Sequence, residues 1–298
     1  MLRSPALLGL ALSACGTTPT APPGLRAQHH PPTRDSNRAG LPIMPLGGSL
    51  TAGWMDWGYV SAGYRQNLHL SLNDPSDGIS ETFHLVGSFI GTKACTVKGI
   101  DNDNEGYNGA RIIDLQNTLP SPLASDDATL GVIDQAQNNT ADLTVCHDTP
   151  PPPPAVNNRL TYLAPNIVLL MAGSNDMPNA DWTSAHERLG TLIDHIYAGA
   201  PDVKVYVASI PPTLFSFINS RIQSYNGKVK TLATGTWKAK HPNLEFVGIH
   251  SSVSTRDLYM DGTHYTTRGY SKMANRWIAS LDATLRVGQP TGFKTYRC

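Results

Sequence analysis

Four short blocks carry residue types that can do chemistry together. Gly47-Gly48-Ser49-Leu50-Thr51-Ala52-Gly53 puts small residues around a serine directly after an apolar run. Such residues let the chain turn sharply and expose the hydroxyl, which is a weak nucleophile without a nearby base. The block does not match G-x-S-x-G, because position 51 is Thr, and this argues against an α/β-hydrolase elbow. Asp261-Gly262-Thr263-His264 supplies a carboxylate three residues before an imidazole. On a tight turn that carboxylate reaches Nδ1–H, fixes the tautomer and leaves Nε2 to take a proton from serine. Gly173-Ser174-Asn175-Asp176 offers an amide able to donate to a developing oxyanion, although Asn175 or Asp176 can equally cap a turn. In Glu105-Gly106-Tyr107-Asn108-Gly109-Ala110-Arg111, Gly109 can present a backbone N–H next to a substrate because it has no Cβ. Each block alone is common: a loop glycine, a capping Asp or a surface His explains it as well.

Their placement depends on the elements around them. Apolar patterning predicts strands over 41–46, 83–89, 166–171, 203–210 and 244–249, the first made irregular by Pro42 and Pro45. Residues 166–171 (NIVLLM) form a nearly uniform apolar run, as expected for a strand buried on both faces of a parallel sheet. Helical spacing marks 59–72, 112–119, 183–198, 218–239 and 266–285, with Leu189, Leu192, Ile193 and Ile196 on one face. Strands alternating with helices predict an α/β fold, a three-layer α/β/α sandwich with a mainly parallel central sheet. Ligands bind such sheets at the carboxyl ends of the strands, where the four blocks fall. Residues 120–158 are an insertion, with a helix predicted over 126–137 and a proline run at 150–154. No second core-sized block is present, so 41–298 is expected to be one domain.

Composition narrows the class. Lys plus Arg and Asp plus Glu are both 23 among 298 residues, and this zero balance argues against nucleic acid as a partner. A 40% hydrophobic, 15% charged chain forms a core, and no apolar run approaches the ~18–20 residues of a membrane span. Residues 1–15 have the layout of a secretory signal, with Arg3 before a short apolar stretch. Leu12-Ser13-Ala14-Cys15 is similar to a bacterial lipobox, so the expected location is secreted or extracytoplasmic. Membrane attachment would occur only through a lipidated Cys15; an ordinary cleavage nearby is the alternative. Residues 16–40, rich in Pro, Thr and Ala, look like a disordered tether. Export permits disulfides: Cys95–Cys146 is the preferred bridge, and Cys298 could replace either partner. No cysteine and histidine spacing suggests zinc. Residues 101–105 imitate the start of a calcium loop, but Ile112 stands where a bidentate Glu belongs. A polar loop that positions Gly109 is the simpler account, and no metal or cofactor is expected.

Taken in order, GGSLTAG, EGYNGARI, MAGSNDM and DGTHYTTRGY resemble the GDSL, or SGNH, hydrolase family over 43–270. The resemblance implies Ser49 as nucleophile, His264 as general base and Asp261 as the residue that orients it. It implies an oxyanion hole made of the Ser49 N–H, the Gly109 N–H and the Asn175 amide. The family normally has Asp where Gly48 stands, and that Asp helps to hold the serine loop. Gly48→Asp is therefore expected to be tolerated and to favour activity. The GYNG form of the second block looks most like the carbohydrate-esterase branch, whose members remove acetyl groups from polysaccharides. Trp54 and Trp57 follow the serine block and either stack on a sugar ring or pack under the first helix. The expected activity is hydrolysis of short-chain, chiefly acetyl, esters of small molecules or polysaccharides. The alternatives are a lipase or thioesterase with the same triad, and a catalytically weakened carbohydrate-binding lipoprotein, which Gly48 favours. An imidazole of ordinary pKa ~6.5 acting as base implies activity falling below roughly pH 6.

Overall fold

The computed structural model describes residues 40–55, 61–74, 83–89, 101, 103–119 and 159–285. Its strands are, along the chain, β1 (Leu41–Gly47), β2 (Phe83–Leu85), β3 (Glu105–Gly106), β4 (Ile167–Met171), β5 (Lys204–Ala208) and β6 (Leu244–Val247). They form one sheet of order β2-β1-β4-β5-β6, with β3 also paired to β1, and every pairing is parallel. Because β4 occupies one side of β1, β2 and β3 share the other side in succession. The chain therefore builds outward from β1 in both directions. The crevice at such a switch point, beyond the carboxyl ends of the strands, is where this architecture binds ligands.

The two prolines leave β1 continuous, and alternation explains why. Pro42 turns its carbonyl towards β4 and accepts the Asn166 N–H at 2.9 Å, just before the β1–β4 register begins at Ile43↔Ile167. Pro45 falls between the last β2 pair, Ile43↔Leu85, and the first β3 pair, Leu46↔Glu105. A proline has no N–H to give to a ladder, so it is tolerated where one neighbour ends and the next has not begun. All five residues of β4 are buried, in keeping with the uniform apolar run.

The helices are α1 (Ser49–Ala52), α2 (Tyr64–Leu72), α3 (Ile112–Thr118), α4 (Arg159–Leu163), α5 (Ala185–Gly199), α6 (Ser216–Thr234), α7 (Thr236–Lys240) and α8 (Thr267–Leu285). α2 packs on α8, while α3, α4 and α6 pack on α5. Tyr270, Met273, Ala274, Trp277, Ile278 and Leu281 of α8 are all buried, the i, i+3, i+4, i+7 stripe of a helix laid on a core. Among the described residues no helix is long and apolar enough to cross a membrane.

Several predicted elements are trimmed relative to their apolar patterns, and three differ in kind. The helix expected over 59–72 begins at Tyr64, because Gly63 takes φ +53° where its backbone meets Gly53. The strand expected over 83–89 pairs with β1 only to Leu85; Phe89 forms an antiparallel bridge with Asn104. The helix expected over 218–239 divides at Gly235 into α6 and α7. The expected signal and tether over residues 1–39, the 120–158 insertion with the helix predicted there, Trp57 and all four cysteines lie outside the described residues.

Candidate active site

Ser49 is placed by the junction of β1 and α1. A Cβ on Gly47 would lie 2.2 Å from the Met171 carbonyl oxygen, so a glycine is needed for β1 to end against β4. Gly48 is extended, with φ −92° and ψ −152°, and Ser49 opens α1. Gly53 closes that helix at φ +82°, donating its N–H to the Ser49 carbonyl. The buried Arg65 guanidinium donates to the Thr51 carbonyl, an orphan acceptor of the same short helix. Burial pulls Arg65 down to about 10.

His264 meets this serine from 215 positions away. Its Nε2 lies 3.0 Å from Ser49 Oγ, and its Nδ1 lies 2.7 Å from Asp261 Oδ2. With Nδ1–H given to the carboxylate, Nε2 is left to accept the serine proton. The other Asp261 oxygen accepts the N–H groups of Thr263 at 2.9 Å and His264 at 3.0 Å. Burial pushes this carboxyl up, but those N–H groups and His264 outweigh it and hold Asp261 below the usual carboxylate range. Gly262 supplies the positive φ of +71° that the tight turn needs.

Asp257 anchors the hairpin that carries both residues. Its buried carboxylate accepts the Ser254 N–H at 2.9 Å and Lys272 Nζ of α8 at 2.7 Å. Its carbonyl accepts the Thr266 N–H at 2.9 Å, next to the Leu258–Tyr265 bridge.

Gly109 and Asn175 sit after β3 and β4, the neighbours of β1 on either side. Gly109 has φ +76°, is exposed, and has no atom within 4 Å of the place a Cβ would take. Asn175 Nδ2 donates to the Ala110 carbonyl at 2.9 Å, so one amide hydrogen joins the two segments and the other is left over. Gly48, Ser49, Ala110 and Asn175 line one small pocket with residues 171–174. The Ser49 N–H opens α1, where a helix has no internal acceptor for it. Ser49 and Asn175 thus share a pocket at the carboxyl end of the sheet, and Gly109 directly precedes Ala110 of its lining.

Two features of this region were not legible in the motifs. Asp176, considered only as a turn cap, is fully buried and ties the donor segments together: it accepts the Ile112 N–H at 3.0 Å and Arg188 Nη2 at 2.9 Å. Burial pushes Asp176 up, against the pull of those two donors. Tyr225 donates to the Ala172 carbonyl at 2.8 Å and fills the space a Cβ on Gly173 would need. Ile112 lies 64 positions from Asp176 and Tyr225 53 from Ala172, so no local pattern could reveal these contacts.

The acidic stretch 101–105 holds backbone. Asp101 accepts the Leu85 N–H at 2.8 Å, and Glu105 accepts the Ser88 N–H at 2.6 Å and the Tyr107 hydroxyl. Arg159 in turn donates to that hydroxyl, which fixes the segment leading to Gly109. Among the described residues no cluster of His, Cys, Asp and Glu could hold a metal. Trp54 is half-buried, its ring centroid 6.3 Å from that of His264.

The sequence profile of the GDSL-like lipase/acylhydrolase family matches residues 43–277, and the chain belongs to that family. It is 27% identical over 302 aligned residues to a multidomain esterase of Ruminococcus flavefaciens; the match covers 96% of this chain but 33% of that longer protein. Its fold is similar to that of an acetyl esterase variant crystallised with acetate, at TM-score 0.56 and 19% identity over 82% of this chain and 98% of the other. It is also similar to a family 3 carbohydrate esterase of Clostridium thermocellum, at TM-score 0.54 and 22% identity over 82% and 96%.

Proposed function

We propose that the protein is a serine esterase that removes short acyl groups, chiefly acetyl, from carbohydrate esters. The observation that carries this reading is the chain of contacts Ser49 Oγ–His264 Nε2, 3.0 Å, and His264 Nδ1–Asp261 Oδ2, 2.7 Å, with Ser49 and Asn175 lining one pocket. Family membership and the multidomain esterase support ester hydrolysis. The acetyl and carbohydrate esterases among the fold neighbours motivate the substrate class.

In the proposed cycle Ser49 Oγ attacks the ester carbonyl carbon while His264 Nε2 takes its proton. The carbonyl oxygen becomes an anion held by the N–H groups of Ser49 and Gly109 and by the Asn175 amide. As the carbonyl re-forms, the C–O bond to the alcohol breaks and His264 returns the proton to the leaving oxygen. Water then adds to the acyl-serine by the same exchange, releasing the acid and restoring Ser49. The carboxylate of Asp261 stabilises the imidazolium in each half. Export by the 1–15 segment, with or without attachment through Cys15, belongs to the same reading.

Hydrolysis of p-nitrophenyl acetate by the purified protein and by Ser49→Ala tests it. The variant is expected to lose on the order of 10⁴–10⁶ in kcat. Equal rates would favour the carbohydrate-binding alternative. Release of acetate from acetylated xylan, set against p-nitrophenyl butyrate and longer esters, then ranks the substrates.

A further inference from the structure

We infer that the alcohol part of the substrate is received by an apolar lip made of Leu214, Phe215 and Met260, together with Trp54, and that the protein selects alcohols presenting a broad apolar ring face. This rests on the esterase reading above. The chemistry orients the substrate first. His264 must return a proton to the departing alcohol oxygen, so the alcohol leaves on the imidazole side of Ser49. The oxyanion donors, Gly109 and Asn175, belong to the other segments of the site.

The large apolar side chains that the described residues leave exposed are concentrated at the turn that carries that imidazole. Five are exposed, and Leu214 (53%), Phe215 (48%), Phe217 (61%) and Met260 (93%) lie on two segments that meet at Gly262. The Leu214 N–H donates to the Gly262 carbonyl at 2.9 Å. A Cβ on Gly262 would stand 3.1 Å from Leu214 Cβ and 3.4 Å from Phe215 Cε2. The lip is therefore packed on the turn between Asp261 and His264, and Met260 directly precedes that turn. Trp54 adds an aromatic ring 6.3 Å from the imidazole, tilted at 46°. Leu, Phe and Met bring contact area and no hydrogen-bonding group. They suit the CH face of a sugar or aliphatic ring better than a small, hydrated alcohol.

Ethyl acetate and cyclohexylmethyl acetate test the assignment, because both are esters of primary alcohols with similar leaving ability. The wild type is expected to favour the cyclohexylmethyl ester in kcat/KM. The double variant Leu214→Ser/Phe215→Ser is expected to lower that ratio five- to tenfold, the loss for withdrawing ~50 Å² of apolar contact. Met260→Ser, at a nearly fully exposed position, removes apolar area without disturbing packing and is expected to move the ratio the same way. A drop in either variant supports the lip. Ratios within twofold of wild type in both overturn it. So does a larger change in the ethyl acetate to ethyl butyrate ratio, which would place these side chains on the acyl side. Absence of Ser49-dependent turnover of every ester sinks the esterase reading itself, whereas turnover without preference for the ring sinks the lip alone.

Discussion

In the proposed cycle the Asn175 amide has two jobs. One hydrogen is held by the Ala110 carbonyl at 2.9 Å, and the proposal gives the other to the oxyanion in the pocket that Asn175 and Ser49 line. Asn175→Ala is expected to lower kcat on p-nitrophenyl acetate by about 10²–10³, or about 2.7–4 kcal/mol, with a smaller effect on KM. Steady-state kinetics check this, and an unchanged kcat would remove Asn175 from the oxyanion hole. Gly48 stands beside the same amide. A Cβ there would lie 3.2 Å from Asn175 Nδ2, so the amide must give by a few tenths of an ångström, and the extended backbone accepts an L residue. Gly48→Asp is expected to fold with an unchanged Tm and to keep or raise esterase activity; abolished hydrolysis would show that the missing space matters more than the added carboxylate. Local types and order were enough to name Ser49, Asp261 and His264, which the fold brings within hydrogen-bond distance, and to nominate Gly109 and Asn175 as donors. They could not reveal Asp176 or Tyr225 as supports, because a buried polar side chain is satisfied by whatever the fold brings to it.

The hairpin of residues 258–265 is positioned through Asp257, and its electrostatics give a pH signature. Burial alone would raise this carboxyl, but Lys272 and the Ser254 donors outweigh burial and hold it below the usual range. A carboxylate whose folded value is depressed stabilises the fold above its unfolded value of ~3.9, and that contribution is lost as pH falls through the folded value. Asp257→Asn is therefore expected to lower stability at pH 7 by about 1–3 kcal/mol. The gap in urea midpoint from wild type should narrow steadily below about pH 4; a gap that persists undiminished to pH 3 would assign the loss to packing. Long, strongly patterned helices such as α5 and α8 are evident from periodicity, and β4 from its unbroken apolar run. β3 and α1 are not, because two and four residues are too few to show a period. Their existence follows from pairing with β1 and from the glycines that close the turns.

At the scale of the whole molecule the site depends on a sheet whose central strand, β4, is buried along its whole length. Leu170 is fully buried in β4, paired to Leu46 on one side and Val207 on the other. Leu170→Ala is expected to cost about 2–5 kcal/mol in chemical denaturation, while kcat of the folded fraction changes little. A comparable fall in kcat without loss of stability would mean that β4 acts on the chemistry directly. The alternation of apolar runs with helical stripes was sufficient to specify a parallel α/β sheet, since the pattern of burial is written residue by residue. The order of the blocks was likewise sufficient to indicate the family, and the bare residue types to suggest which groups exchange protons. Only the tertiary structure decided that a hydroxyl and an imidazole 215 residues apart approach to 3.0 Å, and which buried side chains hold them there. Periodicity records whether a residue faces water, but distance between remote segments is set by packing and strand order, which no local stretch of chain contains.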